Sequence, residues 1–493
     1  MCKQASGSRR KAAGSKKFPS REGLEVVNNK KKNRKLKLKS IPIKYYSTNL
    51  KSPEVSFREA LLNGLAPDGG LYMPSSLPKL TMDELIGFPS KKYHEIAYSV
   101  LTKTIGNELE PDNLLNICRE SYNFEVPLQK VDHRSYIMRL DQGPTASFKD
   151  FAARMMGRLM QYFLSSENRQ LTILTATSGD TGSAVANAFF GLENINVIIL
   201  FPAREITDIQ RKQMTTLKKN IRVVAVNGKF DDCQHLVKTA FRDPLLSHIP
   251  LSSANSINIG RLLPQSVYYF YAWAKLSGRA DEQVIFSVPS GNFGNLMGGI
   301  IAREMGLPVK RFIIATNEND EVPAYLRTGD YKAIVPSINC ISSAMNVGHP
   351  SNFARIVALY GGIMNEDGLI FKIPDTERMR KDFFAVSISD KETMETIAGC
   401  YHESGLLLEP HGAVAWKGMQ KFLDHYPGEK SICISLETAH PSKFRDEIMQ
   451  ILKVNPTPHY SLAEIESETE DFTTIENDYS ELKNIVLKNC NQT

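Results

Sequence analysis

From residue 171 onward, short apolar runs rich in β-branched residues alternate with segments whose apolar residues recur at helical spacing. The runs cover residues 171–175, 197–201, 222–226, 284–288 and 311–315. Each run is too short for a helix and predicts a buried strand. Strands that alternate with helices and are apolar on both faces are typical of a parallel sheet covered by helices. The pattern predicts an α/β fold whose ligands bind at the carboxyl ends of the strands.

The chain has 493 residues, more than a single hydrophobic core usually organises, so we expect several domains. We predict a disordered basic tail over residues 1–40, an N-terminal domain over 41–135, a catalytic α/β region over 136–455 and an acidic surface appendage over 456–493. No apolar run approaches the ~18 residues that a membrane-spanning helix needs. We therefore expect no membrane association.

The positive net charge of +6 comes from the first forty residues. They contain fourteen of the 60 Lys and Arg residues but only two of the 54 Asp and Glu residues, which leaves 46 basic and 52 acidic residues elsewhere. A polycationic body that binds nucleic acid is therefore not expected. Organellar targeting, an inert tail and contact with nucleic acid remain open for residues 1–40, and we favour an inert tail.

The seven cysteines are scattered without a C-x-x-C pair, which favours a reducing compartment and a cytoplasmic protein. The histidines form no H-E-x-x-H motif and no recognisable ligand spacing with a cysteine. We therefore expect no metal site.

A candidate catalytic lysine follows the loop of residues 143–148. Lys149 precedes a run of apolar residues at helical spacing, namely Phe151, Met155, Leu159 and Phe163. This places Lys149 in the first turn of a helix, where the helix dipole disfavours a cation and favours the neutral amine that forms Schiff bases. Taken alone, a solvated surface lysine is the commoner alternative.

Two glycine-containing loops follow predicted strands. Residues 177–183 read Thr-Ser-Gly-Asp-Thr-Gly-Ser and open a helix, which suits either an anion cradle or an ordinary helix cap. Residues 290–295 read Ser-Gly-Asn-Phe-Gly-Asn and also lie between a strand and a helix, as a phosphate cup would. This second loop matches neither G-x-G-x-x-G nor the P-loop, which argues against a nucleotide.

The order and separation of these three loops resemble the β-family of pyridoxal-phosphate enzymes and, within it, the threonine synthases. The similarity extends from about residue 45 to residue 444. Further matching stretches lie at residues 46–48, 64–72, 213–216, 231–234, 255–258, 350–353 and 438–441. The resemblance implies two interleaved parallel-sheet α/β domains of the tryptophan synthase β-like type, with an additional N-terminal domain.

The resemblance also implies a role for each matching residue. Lys149 would be the Schiff-base lysine of pyridoxal 5'-phosphate, and Thr438 would meet the pyridine nitrogen. The cofactor phosphate would be held by Gly291, Asn292, Phe293, Gly294 and Asn295. The substrate carboxylate would be held by Ser178, Gly179, Asp180 and Thr181, and the substrate phosphate by Asn255, Ser256 and Arg261.

The implied reaction converts the small molecule O-phospho-L-homoserine and water to L-threonine and phosphate, in a monomer or homodimer. Asn346 and Gly412 depart from the family pattern, which often has aspartate and threonine there. A related phospho-lyase or dehydratase that releases a 2-keto acid therefore remains an alternative. A second alternative is a catalytically dead protein that binds a partner, such as nucleic acid, through the basic tail of residues 1–40.

Overall fold

The computed structural model describes residues 43–463 and 465–490, apart from the side chains of residues 466 and 490. The prediction for residues 1–40 lies outside this part of the chain. The strands are β1 (Tyr45–Ser47), β2 (Tyr72–Pro74), β3 (Leu128–Lys130), β4 (Ser135–Arg139), β5 (Leu171–Ala176), β6 (Ile195–Pro202), β7 (Ile221–Asn227), β8 (Leu251–Ser252), β9 (Val284–Pro289), β10 (Val309–Thr316), β11 (Ile363–Met364), β12 (Ile370–Lys372), β13 (Phe383–Ser387), β14 (Ile432–Glu437) and β15 (Thr473–Glu476).

Helices cover both faces of the larger sheets. They are α1 (Phe57–Asn63), α2 (Met82–Ile86), α3 (Tyr93–Ile105), α4 (Pro111–Ser121), α5 (Lys149–Glu167), α6 (Asp180–Phe189), α7 (Asp208–Thr215), α8 (Phe230–Arg242), α9 (Ile259–Leu262), α10 (Val267–Leu276), α11 (Gly294–Glu304), α12 (Glu321–Thr328), α13 (Phe353–Leu359), α14 (Thr376–Asp382), α15 (Asp390–Ser404), α16 (Pro410–His425), α17 (Arg445–Leu452) and α18 (Tyr479–Cys490). Within the described range, no helix is long and apolar enough to cross a membrane.

Two large sheets organise the described residues. The first has the order β13-β10-β9-β14-β4-β3, and all its neighbours are parallel except β3 and β4. The second has the order β15-β7-β6-β5-β8 and is parallel throughout. The chain enters the first sheet at β3 and β4, builds β5 to β8 of the second, and returns to the first at β9. This confirms the two interleaved α/β domains.

The five predicted strands are β5, β6, β7, β9 and β10, each extended by one to three residues at its ends. Every residue of β5 and β9 is buried, as expected for strands covered on both faces. The predicted helix is α5, which begins at Lys149 itself. Phe151, Met155 and Leu159 lie within the main core, where they are at most 1% exposed.

The N-terminal part of the chain also packs into this core. Residues of α1, α3 and α4, including Phe57, Ile96 and Leu114, belong to the same apolar cluster as those of α5. The predicted boundary at residue 135 falls at the first residue of β4, but β3, which precedes it, already pairs with β4 in the first sheet.

The C-terminal segment differs from the predicted surface appendage. β15 extends the second sheet through pairing with β7, and α18 covers a second apolar cluster. Ile475, Leu482 and Val486 are buried in this cluster. Leu482 and Val486 are four residues apart and therefore share one helix face. The acidic composition of the segment masks this short apolar spacing in the sequence.

Candidate active site

The loops predicted to carry the chemistry follow strands that are neighbours in the sheets. The lysine loop follows β4, the glycine-asparagine loop of residues 290–295 follows β9, and Thr438 follows β14, which lies between these two strands. In the second sheet, residues 177–183 follow β5, and residues 253–261 follow its neighbour β8. Because parallel strands end at the same edge, each sheet gathers its own set of loops at one edge.

The lysine loop is fixed to the loop after β14 by the backbone. The Phe148 N–H donates to the carbonyl of Thr438 at 2.9 Å, and the His440 N–H donates to the carbonyl of Ala146 at 3.0 Å. Ala146 adopts a positive φ of 53°, which turns the chain into α5. These two bonds hold Lys149 and Thr438 in a fixed relation.

The amine of Lys149 lies beside a buried ion pair. Its Nζ is 3.6 Å from Oδ2 of Asp180, and the other oxygen, Oδ1, is 2.6 Å from Nζ of Lys443. Lys443 also donates to the carbonyl of Thr145 at 3.0 Å. The side chains of Lys149, Asp180 and Lys443 are 13%, 2% and 0% exposed. The sequence interpretation assigned no role to Lys443.

The electrostatics of this cluster favour a neutral Lys149 amine. Burial lowers the pKa of Lys149, and the positive charges of Lys443 and Arg261 lower it further, whereas Asp180 raises it. Burial alone would raise the pKa of Asp180, but the neighbouring positive charge, chiefly that of Lys443, outweighs burial and holds that pKa well below its usual range. The lowered pKa has the direction that the position of Lys149 at a helix start predicts, and burial is its largest cause.

The glycine-asparagine loop leads into the N-terminus of α11. A Cβ on Gly291 would lie 2.8 Å from Cα of Met345, so only glycine fits there. Phe293 adopts a φ of 59° immediately before the helix. The first N–H groups of a helix have no partner within it and attract an anion. The loop therefore has the donors that a phosphate requires.

The side chains of this loop are engaged by neighbouring residues. The Asn292 side chain donates to Oγ of Ser256 at 3.0 Å and accepts from the Ser351 N–H at 2.7 Å. Oδ1 of Asn295 accepts from the hydroxyls of Tyr268 at 2.5 Å and Tyr269 at 2.8 Å. Nδ2 of Asn295 is buried without a partner among the described residues, so both this amide group and the backbone N–H of Asn295 suit the predicted phosphate contact.

Ser256 links this loop to the second sheet. The amide of Asn352 donates both to Oγ of Ser256 at 3.2 Å and to the carbonyl of Asn292 at 2.9 Å. Arg355, which is fully buried, donates to the carbonyls of Ser256 and Ile257. Asn352 and Arg355 thus fix the position of Ser256, and the sequence interpretation gave neither of them a role in the site.

Arg261 retains a donor for an additional anion. Its side chain donates to the carbonyl of Ala254 at 2.6 Å, whereas its buried Nε has no partner among the described residues. Burial lowers the pKa of Arg261 to about 10, so the guanidinium stays charged at neutral pH. Asn255, also predicted to bind the substrate phosphate, accepts from the Thr175 hydroxyl at 2.5 Å.

The loop of residues 177–183 contains both the Asp180 carboxylate and several hydrogen-bond donors. Gly179 adopts a φ of 126°, and a Cβ there would lie 2.5 Å from the Gln210 side chain. The Asp180 carboxylate contacts two lysines, and as an anion it cannot attract a substrate carboxylate. The Gly179 N–H donates to Oγ1 of Thr177 at 3.0 Å, so Ser178, Thr181 and the backbone N–H of Asp180 at the start of α6 remain as the groups able to donate hydrogen bonds to a carboxylate.

Thr438 belongs to a buried chain of hydrogen bonds. Its hydroxyl donates to Oε1 of Glu409 at 3.2 Å, and Oε2 of Glu409 lies 2.5 Å from Nδ1 of His411. Nε2 of His411 accepts from the Ala344 N–H at 3.0 Å, so the ring proton is on Nδ1. Glu409 and His411 were noted in the sequence only as part of a departure from the family pattern. Their hydrogen bonds to Thr438 and Ala344 join residues that are far apart in the sequence, so the sequence does not reveal them.

No group of His, Cys, Asp and Glu residues in the described ranges is arranged to hold a metal ion.

Comparisons with known proteins agree with this arrangement. Three family models match: threonine synthase N terminus over residues 44–122, pyridoxal-phosphate dependent enzyme over 120–437 and threonine synthase C-terminal over 412–486. Threonine synthase from Haemophilus influenzae is 40% identical over 450 residues, which cover 89% of this chain and 99% of the relative. Threonine synthase from Escherichia coli is 38% identical over 411 residues, which cover 83% and 91%.

Solved structures give the same result. A PLP-bound threonine synthase from Brucella melitensis superimposes with a TM-score of 0.84 at 35% identity, covering 91% of this chain and 99% of that one. Threonine synthase from yeast gives a TM-score of 0.83 at 33% identity, with the same coverage. The matches span nearly the whole described chain, and the chain belongs to the threonine synthase family of pyridoxal-phosphate-dependent lyases.

Proposed function

We propose that the site around Lys149 converts O-phospho-L-homoserine and water to L-threonine and phosphate. The observation that carries this assignment is the buried Lys149 amine, whose pKa is lowered and whose loop is bonded to that of Thr438. A lowered pKa increases the fraction of neutral amine, which is the form that condenses with an aldehyde.

The residues present fit pyridoxal 5'-phosphate. Lys149 would carry the aldehyde carbon, and the backbone of Gly291–Asn295 would hold the phosphate at the N-terminus of α11. The absence of a Cβ on Gly291 and the free N–H groups of the helix supply a cradle of the right chemistry. When bound, the cofactor supplies an electron sink that stabilises negative charge on the substrate carbons.

Thr438 would meet the pyridine nitrogen with a hydroxyl. Its own proton is directed to Glu409, so an oxygen lone pair remains free to accept a hydrogen bond. A hydroxyl is a weaker acceptor than a carboxylate. The ring nitrogen would therefore be less fully protonated than beside an aspartate.

The substrate would be held at its two charged ends. Arg261, with Asn255 and Ser256, would bind the phosphate, because the unpartnered Nε of Arg261 can donate to a phosphate oxygen. Ser178, Thr181 and the backbone N–H of Asp180 would bind the carboxylate, while Gly179 would shape the loop through its φ of 126°. Lys149, once released from the cofactor, would take and return protons through Nζ.

The two departures from the family pattern contact protein groups. Oδ1 of Asn346 accepts from the Asn317 amide at 2.9 Å and from the Cys340 N–H at 3.1 Å. A Cβ at position 412 would overlap the carboxylate of Glu437. Because both positions are occupied by structural contacts, they give no support to the alternative keto-acid-releasing lyase or dehydratase.

A product assay separates the two reactions. Purified protein, supplied with pyridoxal phosphate and phosphohomoserine, should form threonine and phosphate in equal amounts, with little 2-oxobutyrate. Lys149→Ala should form neither product and should lack visible Schiff-base absorbance. A wild-type reaction whose main product is 2-oxobutyrate would instead establish the lyase or dehydratase.

We also propose a cytoplasmic enzyme that acts as a monomer or homodimer. The five described cysteines at positions 118, 233, 340, 400 and 433 are free thiols, which suits a reducing compartment. Light scattering of the purified protein tests the oligomeric state, and a larger assembly would contradict this proposal.

A further inference from the structure

Lys443 links three loops of the candidate active site from a fully buried position. It lies five residues after Thr438, contacts Asp180 in the loop after β5, and donates to the carbonyl of Thr145 in the lysine loop. A buried lysine is costly unless its charge is compensated, and Asp180 supplies that charge at 2.6 Å. Because burying the charge of Lys443 is unfavourable without such a partner, its position beside Lys149 indicates a role close to the chemistry.

The charges of the cluster do not cancel if both lysines are protonated. Asp180 is one anion between two amines, with Lys443 at 2.6 Å and Lys149 at 3.6 Å. Lys443 has the shorter contact and no exposure to solvent, so it is the natural partner of Asp180. With Asp180 neutralised in this way, a neutral Lys149 leaves the buried cluster balanced.

We propose that Lys443 is a positioning residue that keeps Lys149 as a neutral amine by occupying Asp180. The inference rests on the proposed role of Lys149 as the cofactor lysine. In the absence of Lys443, Lys149 would be the one close cationic partner of Asp180 among the described residues. Lys149 would then remain protonated to a higher pH and would react more slowly with an aldehyde at neutral pH.

Other titratable groups surround the cluster. Those that act on Lys149 or Asp180 from neighbouring elements, besides Lys443, are Arg261, Glu409 and His411. Lys443 also acts on Asp150, which is buried one residue after Lys149. All of these groups remain in place when position 443 alone is changed, so the comparison isolates the charge of Lys443.

The test is the pH dependence of cofactor capture by the full-length protein. Cofactor-free protein is mixed with pyridoxal phosphate between about pH 6 and about pH 10, and the rate of appearance of Schiff-base absorbance is recorded. In Lys443→Met, the midpoint of this profile should move to alkaline pH by about one to three pH units, the range one opposite charge in contact produces. Lys443→Arg keeps the charge and should stay close to wild type.

Changing Asp180 gives the opposite sign. In Asp180→Asn, Lys149 faces the uncompensated charge of Lys443, so the midpoint should move to acid pH. The double variant Asp180→Asn/Lys443→Met removes one charge of each sign and should return near the wild-type midpoint. A merely structural role for Lys443 would slow capture at every pH without moving the midpoint.

The outcomes are distinguishable from failure of the proposed function. If wild type forms no Schiff base, the assignment of Lys149 fails. If wild type captures the cofactor but the midpoint is the same in Lys443→Met, only the role of Lys443 is overturned. If Lys443→Met does not fold, as judged by circular dichroism, Asp180→Asn decides, and an unmoved midpoint there overturns the inference.

Discussion

Gly412 lies at a departure from the family pattern, and its neighbour Glu437 explains it. The buried Glu437 carboxylate occupies the space that a side chain at position 412 would fill. Burial, followed by the nearby charge of Glu409, raises the pKa of Glu437 well above its usual range. Glycine at 412 and glutamate at 437 are therefore a matched pair.

Restoring the family threonine at this position should destabilise the protein. Gly412→Thr should lower the free energy of unfolding by about 1–3 kcal/mol, the usual effect of overpacking a filled core. Urea denaturation measures the change. Gly399→Ala in α15 is the control, because nothing lies within 4 Å of a Cβ there. A Gly412→Thr protein as stable as wild type would contradict this interpretation of Glu437.

Arg261 should act on substrate affinity. Arg261→Lys keeps a charge but loses the Nε donor, and a charged hydrogen bond contributes about 1.5–3 kcal/mol. We expect KM for phosphohomoserine to rise by about tenfold or more, with a smaller change in kcat. Unchanged Schiff-base absorbance is the control for an intact cofactor site. An unchanged KM would remove Arg261 from the substrate phosphate site.

Individual residues were predictable where the signal was local. Lys149 stands at a helix start after a glycine-containing loop, and its position could be predicted from that pattern alone. Lys443 could not, because its carbonyl partner Thr145 lies 298 positions away in the chain. Likewise, the sequence does not reveal that the Asp180 carboxylate lies between two lysines.

At the scale of elements, the apolar strands β5, β6, β7, β9 and β10 were predicted, whereas the central strand β14 and the short edge strand β15 were not. β5 and β9 are buried throughout and carry their own signal. β15 has a single buried residue among four, so its hydrophobic pattern is too weak to identify it. Its place is set by pairing with β7 and by α18.

The C-terminal helix should therefore contribute to stability. Leu482 of α18 is fully buried against the second sheet. Leu482→Ala should lower the free energy of unfolding by about 2–5 kcal/mol, as buried leucine truncations do. The exposed Lys488 of the same helix gives the control, and Lys488→Ala should change it by less than about 0.5 kcal/mol. Equal effects of the two substitutions in chemical denaturation would contradict the packing of α18.

At the scale of the whole molecule, the alternation of strands and helices predicts parallel sheets but not how many there are. Two sheets result because β4 and β9 lie in one sheet while β5 to β8, between them in sequence, form another. That interleaving depends on contacts between distant segments. It was anticipated through the family resemblance.

The basic tail of residues 1–40 should be dispensable for catalysis. Every residue assigned to the site lies between positions 145 and 443, within the described part of the chain. Deleting residues 1–40 should leave kcat, KM and the thermal unfolding midpoint unchanged within error. A loss of activity on deletion would show that the basic tail takes part in the site. Nucleic-acid binding by the intact protein but not by the variant without residues 1–40 would support the alternative function of the basic tail.

The central claim is that Lys149 carries the cofactor. Borohydride reduction of the purified holoenzyme converts the Schiff base to a stable secondary amine, and peptide mapping by mass spectrometry then identifies the modified lysine. We predict a pyridoxyl group on the peptide that contains Lys149. Modification of another lysine, such as Lys443, or of none would contradict this claim.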